Sequence, residues 1–304
     1  MLFLVTGGAG FIGSHITDRL LADGHRVRIL DNFSTGKHEN IPDSADIEVI
    51  EGDVGDYETV RTAMQQVDFV FHEAAIASVP ETVGNPLASE RVNYRGTVNI
   101  LEAARHANVK RVMLACSAAV YGDLPELPKR EDMPVKPMTP YAIDKLASEY
   151  ACQAYYQLYG LETVSLRYFN VFGPRQDPSS PYSGVISIFS DFLNHGKQPT
   201  IYGDGEQTRD FVYVSDVVEA NIRASTSSTA PGKAINVATG SKLSINDLLK
   251  TICNIKGQPF EPHYKPGRDG DIRHSRADIS AAREYLDWQP VVGFEAGLRR
   301  LFES

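Results

Sequence analysis

Short apolar runs recur along the first part of the chain, at 2–5, 27–30, 47–50, 69–71 and 112–116. Between them, apolar residues fall at helical spacing near 11–23, 56–66, 86–107 and 141–159. Runs without polar alternation fit strands covered on both faces, and strand–helix–strand spacing predicts βαβ units. Such units cross over right-handed, so the predicted fold is α/β: a doubly wound parallel sheet of Rossmann type.

After about Asn170 the texture changes. Pro174, Pro178, Pro181 and Gly184 punctuate a loop, a helix is predicted near 184–195, and a Gly-rich stretch, YGDGEQTRD, runs from Tyr202. DFVYV (210–214), a helix near 216–226 and AINV (234–237) are predicted to return to the first sheet. Ser244 with Asp247 has the spacing of a helix N-terminal cap before LLKTICN. The expected organisation is a dinucleotide-binding domain over 1–170, with a returning segment near 210–242. A smaller C-terminal substrate lobe over 171–304, mainly 171–209 and 243–304, is expected to close over the sheet's carboxyl edge.

Charge and composition narrow the partners. A formal net charge of -9 disfavours nucleic acid, because long polyanions are held by phosphate neutralisation. No stretch approaches the ~20 apolar residues of a membrane span, so no membrane partner is expected. The opening MLFLVTGGAGFIGSH lacks the basic region of a secretory signal and reads as a strand running into glycine. Cys116, Cys152 and Cys253 have no paired spacing, which fits a reducing cytoplasm, and neither they nor the histidines suggest a metal. His72, at a strand end, reads as structural.

The strand LFLVT runs into Gly7-Gly8-Ala9-Gly10-Phe11-Ile12-Gly13 and then a helix. A pyrophosphate can approach such a turn only where side chains are missing, and the helix N-terminus offers amide donors and a partial positive charge. A plain turn would also carry glycines. Here a second strand ends in Asp31, 21 residues after Gly10 and close to the ~20 expected of the acid that holds an adenosine ribose. A carboxylate there accepts from both ribose hydroxyls and repels a 2′-phosphate. Asn32 follows, and the nearest base is Lys37, so NAD is favoured over NADP.

Tyr141 and Lys145 share a face at the start of a predicted helix. A tyrosine brought from its ordinary pKa of ~10 to near 7 needs about 4 kcal/mol, and one cation at ~4–5 Å supplies about 3–4 kcal/mol at an effective dielectric of ~20. Lys145 with a cationic nicotinamide is therefore expected to make Tyr141 a base. The same spacing is also commonplace on helices. Ser117, ending the strand 112–116, can pass a proton to Tyr141; the alternative is a turn serine bonding its own backbone.

TGGAGFIGSH, DNFSTG, EGDV, FHEAA, SAAVYG, YAIDK and LRYFNVFGPR stand in the order found in the extended short-chain dehydrogenase/reductase family. From Leu2 to at least Asp287 the chain resembles its UDP-hexose 4-epimerase branch. The resemblance implies Tyr141 as base, Lys145 on the nicotinamide ribose and Ser117 as hydroxyl relay. It implies cofactor contacts at Gly7, Gly10, Phe11, Ile12, Gly13, Asp31, Asn32, Ser34, Thr35 and Gly36. Asp53 and Val54 match the adenine positions, Ala74 and Ala75 the strand end beside pyrophosphate and nicotinamide ribose, and Asn93 an asparagine that orders the site. Asp53 also reads as a cap for the helix near 56. On the substrate side, Asn170 and Arg209 match residues at the sugar diphosphate, and Arg268 with Asp271 a pair at the nucleotide's ribose and phosphates. Gly184, Val185, Tyr202, Ser78 and Ser275 complete that side, with Ser275 bordering the sugar's C2 substituent. The family often has a second serine at Cys116, whose side chain is expected to point away from substrate.

The reaction implied is 4-epimerisation of a UDP-hexose, UDP-glucose/UDP-galactose and the N-acetylhexosamine pair, by transient C4 oxidation. Dehydratases of the family carry an acidic pair where this chain has Ala118 and Ala119, which disfavours dehydration. UDP-glucuronate epimerisation and decarboxylation remain alternatives. A non-catalytic NAD-binding regulator would not need Ser117, Tyr141 and Lys145 together. A homodimer is expected, paired through helices over 93–106 and 141–159, with Tyr155, Tyr156 and Tyr159 in the interface.

Overall fold

The structure is a computed structural model that describes residues 1–176, 184–267 and 272–303. Its centre is a sheet in which every neighbouring pair is parallel. In chain order β1 (Leu2–Thr6), α1 (Phe11–Ala22), β2 (Arg26–Asp31), β3 (Ile47–Glu51), α2 (Tyr57–Ala63) and β4 (Phe69–His72) form the first half. Then follow α3 (Val79–Gly84), α4 (Pro86–Ser89), α5 (Gly96–His106), β5 (Arg111–Ser117), α6 (Pro140–Tyr159) and β6 (Glu162–Tyr168). Across the sheet the order is Lys233–Val237, β6, β5, β4, β1, β2, β3.

The order reverses between β1 and β4, and at that switch point the two following loops diverge to leave a crevice. Buried residues fill both faces. Leu4, Ile100, Leu114 and Val120 belong to one side; Val5, Ile16, Ile29, Val164 and Val217 to the other. The apolar runs therefore became strands because each side chain has a layer to enter. β3 departs from this: Glu48, Val49 and Glu51 are exposed, as suits an edge strand.

Three expectations are corrected. The helix expected over 86–107 is interrupted by a π-helical turn, Glu90–Arg95, between α4 and α5. Such turns widen the helix and recur at functional sites. DFVYV does not join the main sheet; its strand Phe211–Tyr213 pairs in parallel with Asn170–Phe172, and only Lys233–Val237 returns to β6. The tail does not belong wholly to the smaller lobe, because Ala282, Leu286 and Trp288 pack with the sheet's core. Trp288 Nε1 donates to the Asp216 carbonyl at 3.0 Å, fixing that return. A third cluster holds the rest, with Phe189, Ile201, Phe211, Leu248 and Leu298 buried between helices Val185–Asn194, Ile245–Lys256 and Phe294–Glu303. Ser244 caps the second of these, accepting from the Asp247 amide at 3.0 Å.

Candidate active site

At the switch point Gly7 has φ +68°, and a Cβ there would stand 2.8 Å from the Ala74 amide nitrogen. A Cβ on Gly13 would stand 2.2 Å from the Gly7 carbonyl oxygen, so α1 can begin against the loop only because that position is glycine. α1 has no side-chain cap and no acid in its first turn, leaving its amides and positive dipole end to an anion. The Asp31 carboxylate accepts from the Ala9 amide (3.0 Å) and the Phe33 amide (2.9 Å), which holds it beside this loop.

A cavity of about 450 Å³ follows the crevice and is lined by Gly7, Gly10, Phe11, Ile12, Gly13, Asp31, Asn32, Ser34, Thr35, Gly36, Asp53, Val54, Ala74 and Ala75. All these were expected from the sequence, and the cradle fits a dinucleotide: glycine approach, free helix amides and an acid at the far end. Glu73, Ile76, Glu81, Arg91 and Val92 also line it and were not anticipated. Arg91 donates to Asp53 at 2.8 Å across 38 residues, a pairing that carries no local sequence signal. Asp53 is not the helix cap; Asp56 is, accepting from the Glu58 amide, while Asp53 accepts from the Gly55 amide at 2.7 Å. A larger cavity, about 700 Å³, opens beside Tyr150, Gln153 and Tyr285, and neither Ser117 nor Tyr141 nor Lys145 lines it.

Asn93 does not line the crevice. It sits in the π-helical turn, where its Oδ1 accepts from the Ile76 amide (2.8 Å) and its Nδ2 donates to the Ile76 carbonyl (3.1 Å). It thus fixes the loop after β4, the loop that carries Ala74 and Ala75.

Thr139 caps α6 by accepting from the Ala142 amide, and Pro140 opens its first turn, so Tyr141 is held where the helix meets the end of β5. Ser117, the last residue of β5, lies near the Tyr141 hydroxyl and favours its ionisation. Its Oγ accepts from the Ala119 amide at 3.1 Å, the local backbone bond that the sequence also allowed for. Lys145 is buried and donates to the Ala115 carbonyl at 2.7 Å.

The electrostatics correct the sequence argument. Burial pushes the Tyr141 hydroxyl up to about 12, with Ser117 pulling the other way, and Lys145 is not among the causes. The Lys145 ammonium lies 5.8 Å from the ring centroid and is engaged with a carbonyl, and burial pushes its own pKa down. Desolvation therefore outweighs the single cation that the helix spacing supplies.

Cys116 points into the core as expected, its thiol donating to Glu149 at 3.3 Å, and Glu149 pairs with buried Arg167 at 2.6 Å. His72 is structural, bonded to Thr6 Oγ1 (2.7 Å) and Thr97 Oγ1 (3.1 Å), and burial lowers it to about 3.

Backbone bonds tie several expected substrate residues together around 208–210. The Asn170 amide donates to the Asp210 carbonyl (3.0 Å), Arg209 donates to the Thr208 carbonyl (2.9 Å), and the Ser275 amide donates to the same carbonyl (3.1 Å). The buried Asp210 carboxylate accepts from the Thr239, Gly240 and Ala277 amides, locking this strand to two other segments. Ser78 caps α3, accepting from the Glu81 amide. Gly184 and Val185 open the helix Val185–Asn194, and the Tyr202 carbonyl accepts from Gln207 at 2.8 Å. Arg268 and Asp271 lie outside the described residues.

A glycine cradle at the switch point, beside a Ser–Tyr–Lys group, defines a nucleotide-cofactor enzyme that moves a proton and a hydride. The NAD dependent epimerase/dehydratase family matches residues 3–238, and the chain belongs to that family. A protein of Mycolicibacterium smegmatis named UDP-glucose 4-epimerase is 44% identical over 308 residues, covering 100% of this chain and 98% of its own length. The UDP-glucose 4-epimerase of Thermotoga maritima, solved with UDP-glucose, superposes with a TM-score of 0.95 at 38% identity, covering 100% of this chain and 98% of that one. A UDP-N-acetylglucosamine 4-epimerase from Methanobrevibacter ruminantium, solved with UDP-N-acetylmuramic acid, gives 0.95 at 41% identity, covering 99% of this chain and 96% of that one.

Proposed function

We propose that this protein is an NAD-dependent isomerase that inverts C4 of a UDP-hexose, acting on UDP-glucose/UDP-galactose and on the N-acetylhexosamine pair. The observation that carries the reading is the placement of Ser117, at the end of β5, and of Tyr141 and Lys145, at the start of α6, on the same edge of the sheet as the dinucleotide crevice. NAD, when bound, would supply the hydride acceptor and donor that C4 needs. Tyr141 accepts the proton of the C4 hydroxyl, directly or through Ser117, and gives it back after the keto sugar has turned. Lys145 is the residue for the nicotinamide ribose, with Asp31 at the adenosine ribose and the α1 amides at the pyrophosphate. Arg209 and Asn170 anchor the sugar diphosphate, and binding energy there leaves the sugar ring free to present either face.

The turn Ala118–Tyr121 argues against dehydration. Ala118 and Ala119 cannot donate a proton to a leaving hydroxyl, and the Tyr121 hydroxyl is committed to Asn236 at 2.7 Å. The test is to incubate the purified protein with each UDP-sugar and separate the products by chromatography. Conversion of UDP-galactose to UDP-glucose supports the reading; a 4-keto-6-deoxy or decarboxylated product overturns it.

The protein is further proposed to act as a homodimer. Ile143 (53% exposed), Tyr150 (52%) and Leu158 (72%) leave an apolar face on α6 that a second copy would cover. Tyr155 and Tyr159 stand together on another side of α6, where Tyr155 donates to Glu102 at 3.0 Å and the two rings meet edge to face. Light scattering at micromolar concentration is expected to give twice the chain mass; a monomer mass excludes it. The buried, unpaired Cys116, Cys152 and Cys253 fit a reducing cytoplasm, the compartment proposed here.

A further inference from the structure

Glu73 follows β4, lines the crevice, and has no part in the steps above. Its carboxylate accepts from the Tyr168 hydroxyl at 2.9 Å, a bond between residues 95 apart in sequence. Tyr168 in turn accepts from Asn221 Nδ2 at 2.7 Å, in the helix Val214–Thr226. A chain of polar side chains thus runs from the crevice, past the end of β6, into the opposite face of the sheet. Asn221 Oδ1, at its far end, is buried without a hydrogen-bond partner. With Glu73 ionised, Tyr168 donates to it. With Glu73 protonated, Tyr168 can still donate to the carboxyl's unprotonated oxygen, while Asn221 Nδ2 stays on the Tyr168 hydroxyl and the Val217 carbonyl. The Tyr168 bond therefore survives in both charge states of Glu73.

We propose that Glu73, held by Tyr168, is a positioning residue whose charge sets the pH at which Tyr141 works as a base. The inference rests on the reading of Tyr141 as that base. Glu73 follows His72, the β4 partner of Leu114, beside the Ala115 carbonyl that holds Lys145. Tyr168 is the β6 partner of Ser117, the residue next to Tyr141. The charged and titratable groups around Glu73 are thus Tyr168 of β6, Lys145 and Tyr141 of α6 and Cys116 of β5. His72, its chain neighbour, is neutral. An ionised Glu73 opposes formation of the Tyr141 phenolate and favours the Lys145 ammonium. Burial raises Glu73 to about 7, against the pull of Tyr168 and Lys145, so its charge changes within the working range. Acidification past that point removes the anion and makes the Tyr141 proton easier to lose.

The test is an ultraviolet titration of tyrosinate in the protein as purified, with the Tyr141→Phe protein subtracted to isolate Tyr141, alongside the pH profile of kcat. Glu73→Gln is expected to move the Tyr141 titration and the acid limb of kcat to lower pH by about half a unit or more, as loss of one partly screened charge requires. Glu73→Ala is expected to move them the same way, and serves if the glutamine protein does not fold. Glu73→Asp, which keeps the charge, is expected to stay near wild type. An unmoved Tyr141 titration in both neutral variants, with fold and cofactor content intact, overturns the proposal. A purely packing role would alter stability and leave the titration in place. The spectroscopic arm needs no substrate, so absence of epimerase activity would not be confused with failure of this inference.

Discussion

The Lys145 ammonium nitrogen stands 5.8 Å from the centre of the Tyr141 ring and spends a hydrogen bond on the Ala115 carbonyl. One helical turn therefore brings the two residues together without making a base of the tyrosine, because burial of the phenol costs more than the lysine returns. The remaining charge has to come with the cofactor, whose nicotinamide is cationic when oxidised. This explains why the phenol, the lysine and the dinucleotide crevice have to occur in one site.

Tyr141→Phe is expected to lower turnover by at least ~100-fold, the lower range for loss of a general base. Only a hydroxyl is removed, so circular dichroism and cofactor content are expected to match wild type. Steady-state kinetics with the best UDP-sugar decides the point, and turnover within a few-fold of wild type would remove Tyr141 from the mechanism.

The purified protein is expected to carry NAD, since a cofactor that returns its hydride has no need to leave. Denaturation followed by analysis of the released nucleotide tests this. The Asp31 carboxylate, held by the Ala9 and Phe33 amides, would repel a 2′-phosphate, so NADP as the main species would contradict the role given to Asp31.

His72 makes stability depend on pH in a definite direction. Burial lowers its pKa to about 3 from the ordinary 6.5, so between those values the unfolded chain binds the proton that the folded chain refuses. Its contribution is complete above about 6.5 and is lost as pH falls; by pH 5 the loss is about 2 kcal/mol. His72→Gln is expected to lack this loss, so its stability deficit against wild type narrows by that amount between pH 8 and pH 5. Urea unfolding of both proteins at the two pH values measures it, and a constant deficit would show that His72 does not titrate on unfolding.

Ser275→Tyr is expected to abolish turnover of UDP-N-acetylglucosamine while UDP-glucose and UDP-galactose still react. Ser275 lies beside Arg209 through the shared Thr208 carbonyl, and a ring there would take the space of an acetamide. Retained epimerisation of the N-acetylated sugar by the tyrosine variant, or none by wild type, would show that Ser275 is not the gate.

The sequence by itself determined what local spacing can encode. The apolar runs at 2–5 and 27–30, the second interrupted only by Arg28, became β1 and β2, and Gly7, Gly10, Gly13 and Asp31 fell into one cradle, because strand, turn and helix are set by neighbouring residues. Tyr141 and Lys145 met for the same reason. Tertiary structure decided everything that rests on partners far apart in the chain. The strand Phe211–Tyr213 went to Asn170–Phe172 rather than the main sheet, because the sheet edge it might have joined was taken by Lys233–Val237. Asn93 reached Ile76 only through the π-helical turn, and Arg91 reached Asp53 only once α4 and the segments after it had packed on the sheet. The proton affinities of Tyr141, His72 and Glu73 were likewise beyond the pattern of residues, since desolvation is fixed by what the whole fold excludes from water.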